Sequence, residues 1–116
     1  MKDISSEIEY QGKKYMITFD INVMEEIQET YGSMSAWSEK IEPTDGSEPN
    51  IKALKFGFTA MLNEGIDITN EKNGKNEVHL TSSQVGRIIS GIGIEETGKK
   101  LSEVIVNSTK SAEKNA

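Results

Sequence analysis

The residues in this chain that could carry chemistry fall into a few sets, and each set lacks a necessary member. The stretch 93–100, GIEETGKK, places Gly93, Gly98 and Lys99 at the G-x-x-x-x-G-K spacing of a phosphate-binding loop. The next position, where a Ser or Thr would hold Mg²⁺, is Lys100, and Glu95 and Glu96 would face the phosphates. The residues before it have the spacing of an isoleucine-rich helix where a buried strand is required, so the stretch reads as a turn between two helices. His79 is the only histidine and there are no cysteines, so no His–Cys or His–His ligand set can form. It reads as a half-exposed residue beside Val78 and Leu80. Glu25, Glu26 and Glu29 could be paired carboxylates for acid–base work, but their spacing is what the wet face of an amphipathic helix requires. The serines have neither a histidine base nor a G-x-S-x-G elbow, so none is a nucleophile. The expectation is a protein that is not an enzyme, with no catalytic residue, no cofactor and no metal.

Composition bounds the remaining classes. With 116 residues the chain suits one domain, and the expected division is a single domain over 1–106 with a disordered tail over 107–116, where nothing apolar exceeds alanine. The apolar fraction is 34% and the mean hydropathy −0.52, which imply a small core. Net charge is −6 with a single arginine, which argues against nucleic acid and anionic membrane as partners. No apolar run approaches the roughly 20 residues that span a bilayer, and the opening MKDISSEIEY lacks a signal-peptide core. The expected compartment is the cytoplasm.

The elements that must position these residues are mostly helical. Residues 7–19 read as a β-hairpin turning at Gly12, with Tyr10, Ile17 and Phe19 toward a helix. Asn22 with Glu25 suggests a capping box for a helix over 23–31 that carries Val23, Ile27 and Tyr31 inward and stops at Gly32. A short helix from Ser33 or Met34 to Ile41 turns Trp37 and Ile41 inward, and the Pro- and Gly-bearing stretch 42–49 is a loop. At the centre, residues 50–65 form the segment that must be buried. Asn50 caps it, Ile51, Leu54, Phe58, Met61 and Leu62 make its stripe, and Gly65 ends it. Gly57 between Phe56 and Phe58 costs roughly 1 kcal/mol against Ala in a helix, which suggests another backbone crossing close by. Residues 66–80 suit either a second small hairpin around Asn73-Gly74 or a loop. Thr81 and Gln84 form a capping box that opens a helix with Val85, Ile88, Ile89 and Ile92 inward, broken by 91–93. A last helix from Ile94 carries Leu101, Val104, Ile105 and Ser108 on one face. The fold class is therefore α+β, mainly α: an N-terminal hairpin packed on a bundle of four to five short helices.

Apolar residues remain after those stripes are filled. Met24, Met34, Trp37, Phe56 and Met61 exceed what one narrow stripe consumes. Methionine adapts to irregular surfaces and tryptophan is favoured at binding hot spots, so these five are the candidate partner-binding residues.

The order of parts resembles the tail assembly chaperones of long-tailed phages and prophages of Gram-positive bacteria. The resemblance is carried by Tyr10-x-Gly12-Lys13-x-Tyr15, Ile17-Thr18-Phe19-Asp20, the helix ending Tyr31-Gly32, the apolar middle helix, and the capped helix at Leu80-Thr81 with Val85-Gly86. It spans roughly residues 7–106, apart from the asparagine-rich stretch 70–77. It implies a protein that holds the tape-measure protein in solution, helps tail-tube subunits polymerise around it, and self-associates. It also implies a longer form made by −1 frameshifting, for which Glu113-Lys114-Asn115 can be encoded as a slippery heptamer. The alternative from a different class is an unrelated protein-binding adaptor or phage anti-host factor.

Overall fold

The computed structural model describes residues 5–115, with side chains over 6–108. Strands β1 (Ser5–Tyr10) and β2 (Lys13–Thr18) pair antiparallel, in register from Ser5 opposite Thr18 to Tyr10 opposite Lys13. Gln11 and Gly12 close the hairpin with φ of 51° and 78°. Two positive φ values in a two-residue loop match the right-handed twist of the strands. Ile8 and Ile17 are buried and Tyr10 half-buried on the covered face, and Phe19 is buried just beyond β2.

Helix α1 (Ile21–Tyr31) begins earlier than the sequence predicts, and the expected Asn22–Glu25 capping box is replaced. Asp20 leaves the strand in an extended conformation, and its Oδ1 accepts from Val23 N at 3.1 Å. This frees Asn22 to donate from Nδ2 to Glu64 Oε2 at 2.9 Å. Helix α2 (Met34–Ile41) is capped by Ser33 and buries Trp37 and Ile41 as expected.

Helix α3 (Ile51–Asn73) is capped by Asn50, but Gly65 does not end it. It runs on to a left-handed Gly74, so Asn73-Gly74 is a helix terminus, and the second hairpin is corrected to a helical half followed by an irregular connection. Gly65 lies inside the helix, where an added Cβ would fall 2.6 Å from the Met16 carbonyl oxygen of β2. Gly57 answers to a different neighbour. The indole of Trp37 occupies the place of its missing Cβ, so a ring and not a backbone crosses there. Trp37 Nε1 donates to the Ala53 carbonyl at 2.9 Å, which fixes the ring across α3.

The 74–80 connection is held to α3 by side chains one helical turn apart. Asn63 accepts from Leu80 N at 2.8 Å and donates to Leu80 O at 3.2 Å. Asn70 accepts from Glu77 N at 3.0 Å and donates to Glu77 O at 2.9 Å. Between them, His79 Nε2 lies 2.8 Å from Asp67 Oδ1. The amides thus supply the donor and acceptor that a neighbouring strand would offer.

Thr81 and Gln84 form the predicted capping box at α4 (Ser82–Ile92), which buries Val85, Ile88 and Ile89. Gly93 separates it from α5 (Ile94–Asn115). The helix assignment of α5 passes beyond the tail expected from residue 107, and the side chains of 109–116 lie outside those described. α3 packs against β2, α1, α2, α4 and α5, so the core closes around its fully buried Leu54, Phe58 and Met61. The architecture is α+β and mainly α, a hairpin with five helices. Among the described residues no helix is long and apolar enough to cross a membrane.

Candidate functional site

The five apolar residues singled out above divide between core and surface. Trp37 and Met61 are completely buried, so they hold the core and offer no face to a partner, which corrects their expected role. Met24 and Met34 are half-buried and line a shallow groove of about 540 Å³ with Phe19 and Ile105. Its rim carries Glu39, whose carboxylate accepts from Thr44 N and Oγ1, and Glu42, which accepts from Ser102 Oγ at 2.5 Å. Both acids are held by neutral donors.

Phe56 belongs to a second groove of about 550 Å³. Its floor is the side of α3 turned away from the core, where Ile51, Lys55, Phe56, Thr59 and Asn63 follow one another, with Lys52 beside them. Glu26 of α1 forms one wall, and His79 with Ser82 at the head of α4 forms the other. The Phe56 ring meets the Tyr31 ring edge-on, centroids 5.5 Å apart and planes at 76°. Past Ile51 and Lys55 the apolar lining continues onto Ile89 and Ile94.

Ile51 is 44% exposed, although the sequence places it on the buried stripe. A helical side chain lies over the turn that precedes it, and at the first position of α3 there is no such turn to cover. Sequence reasoning also misses Thr59 and Ala60 in this groove. Their small side chains give no signal, yet buried Ala60 supplies the depth beside Phe56.

A cluster of acids sits where α3 meets the start of α1. Glu64 carries a pKa pushed up to about 7. Its side-chain hydrogen bond with Asp20 is the main cause, followed by burial and by the charges of Asp20 and Asp67, while the Asn22 amide pulls the other way. The described side chains do not bring three or more His, Asp or Glu groups together as a metal site.

The phosphate-loop look-alike is the predicted helix–break–helix turn. Residues 94–100 lie in α5, and buried Thr97 turns its hydroxyl back to the Gly93 carbonyl at 2.8 Å. His79 is exposed over 55% of its side chain, and its partner Asp67 could not be named without knowing that α3 continues past Gly65. Comparison with protein-family models, with curated proteins and with solved structures gives no match to this chain.

Proposed function

We propose that the chain is a tail assembly chaperone of a long-tailed phage or prophage, working in the bacterial cytoplasm by reversible protein binding and without chemistry. Its partners are the tape-measure protein and the tail-tube protein, and it self-associates while it acts. The observation that carries the reading is the presence of two open, apolar-lined grooves on a helical domain with net charge −6. Grooves between helices take amphipathic helices, which a long coiled-coil tape measure offers in series. The excess negative charge favours dispersion of a complex that covers an otherwise sticky partner. Met24, Met34 and Phe56 line those grooves, which supports the reading.

Co-expression tests it. A tape-measure protein encoded in the same gene neighbourhood should move from pellet to supernatant when this chain is made with it, and the two should co-purify. If the partner stays in the pellet beside abundant folded chain, the reading fails.

A further inference from the structure

We infer that the α3 groove is the seat of one short partner helix, apolar along a single stripe and acidic on its flanks. The inference rests on the partner-holding reading above and narrows it to one surface and one sign of charge.

The dimensions suit a single helix. At about 1.5 Å per residue, the floor from Ile51 to Asn63 is roughly 18 Å long, a little over three turns. Its far end is stopped where the Asn63–Leu80 amide pair and His79 close over α3. At the other end Ile51 and Lys55 also line a neighbouring hollow that runs on to Ile89 and Ile94. Phe56, steadied by Tyr31, stands beside Ala60, giving a ridge and a hollow for an i, i+3, i+7 stripe of large apolar side chains.

The charge sets the partner's sign. The chain holds 19 acidic against 13 basic residues, yet Lys52 and Lys55 line this groove, and the ion pair found among the described residues is His79–Asp67. Two lysines at an i, i+3 step with no carboxylate at ion-pair distance, in a chain so rich in carboxylates, leave cations available to a partner. The end of the Lys55 side chain reaches along α4 to Gly86, so its charge lies at the lip. Glu26 is the acid on the opposite wall. The Met24–Met34 groove has the reverse sign, with Glu39 and Glu42 on its rim and no lysine in its lining, so an acidic helix distinguishes the two.

The test uses two fluorescent helical peptides of about 14 residues, long enough to cover the floor. They share one leucine stripe and carry either Glu or Lys on its flanks, and each is titrated with the full chain. At low salt the Glu-flanked peptide should bind about tenfold more tightly than its twin, since two exposed pairs gained and two repulsions avoided amount to roughly 1.4 kcal/mol. The preference should shrink at high salt and reverse in the double variant K52E/K55E, whose sites lie outside the core. Amide shifts in the wild type should move at Phe56, Thr59 and Ser82. Equal binding of the twins, a preference that survives in K52E/K55E, or shifts centred on Met24 and Met34 would overturn the assignment. So would shifts at Ile51 and Phe56 on raising the protein concentration alone, because the occupant would then be a second copy. Co-expression separates the two levels. A tape-measure protein held in solution equally by wild type and K52E/K55E overturns the groove alone, whereas one held by neither overturns the chaperone reading beneath it.

Discussion

Two glycines in the middle of α3 show that the smallest side chain can decide how elements meet. In an exposed helix, Gly→Ala gains roughly 1 kcal/mol from propensity. At Gly65 that gain is opposed by a Cβ placed 2.6 Å from the Met16 carbonyl, and backbone can retreat only if the hairpin lifts off the helix. Overpacking of this kind costs about 1–3 kcal/mol, so Gly65→Ala should be net destabilising in urea denaturation, and a raised midpoint would refute the close approach. Glu64 next door makes stability depend on pH. Its folded pKa of about 7 lies above the ordinary 4.5, so between those values the folded chain binds a proton that the unfolded chain has released. The stabilisation is therefore complete below about pH 4.5 and is lost as pH rises through about 7. The side chain is partly solvated, so the effect should be on the order of 1 kcal/mol. Asp20, Asp67 and Asn22 face it, and Asp67 is itself paired with His79, so the signature is the difference between wild type and Glu64→Gln. Unfolding midpoints at pH 5.5 and 8 should lie closer together in the variant. Asp20→Asn, which keeps a capping oxygen for Val23 N, should flatten the same window, and an unchanged pH profile in both would remove the carboxyl pair from the account.

Helix ends and strand alternation were largely legible in the sequence, because they depend on neighbours in the chain. Asn50 and the Thr81–Gln84 box each cap the helix predicted for them, the short helix expected from Ser33 or Met34 starts at Met34, and Ile17, Val23 and Ile27 are buried as their spacing requires. Apart from the start of α1, where Asp20 and not Asn22 is the cap, what failed depends on partners far away in sequence. Gly65 carries a local stop signal, but its lack of a Cβ serves the packing of α3 against β2, so the helix continues for two more turns. With the helix cut short, Asn63, Asp67 and Asn70 could not be seen to share one side and tie down 77–80. That clamp makes its own prediction. Asn63→Ala removes both bonds to Leu80 and leaves a part-buried backbone N–H and C=O without those partners, which should cost about 2–3 kcal/mol. Asn70→Ala, whose bonds to Glu77 are exposed to water, should cost about 1 kcal/mol or less. Hydrogen exchange at Leu80 N–H should accelerate in Asn63→Ala and stay close to wild type in Asn70→Ala. Equal losses of stability in the two variants would show that the ladder acts as one unit.

At the scale of the molecule, the division of apolar side chains between core and groove was the part least legible from composition. Trp37 and Phe56 both read as surplus, yet one is completely buried and the other lies in an open groove. The difference is made by Gly57, which admits the indole against α3, while Phe56, met edge-on by Tyr31, stays only partly buried at the margin of the core. The fold class followed from periodicity, whereas the groove residues Thr59 and Ala60 are too small to leave a sequence signal. The position of Trp37 makes it a reporter on whether the whole structure is one cooperative unit. Its ring bridges α2 and α3, its Nε1 is bonded to Ala53 O, and α3 in turn carries β2, α1, α4 and α5. No layer can leave without exposing part of the α3 core, and domains of this size generally unfold without populated intermediates, with about 5–15 kcal/mol of stability. Tryptophan emission, blue-shifted in the native state, should therefore redden at the same denaturant concentration at which far-ultraviolet circular dichroism loses helix. A helical signal that falls before the emission moves would mean that α4 and α5 detach on their own, and that the groove wall at Ser82 belongs to a separable, less stable layer.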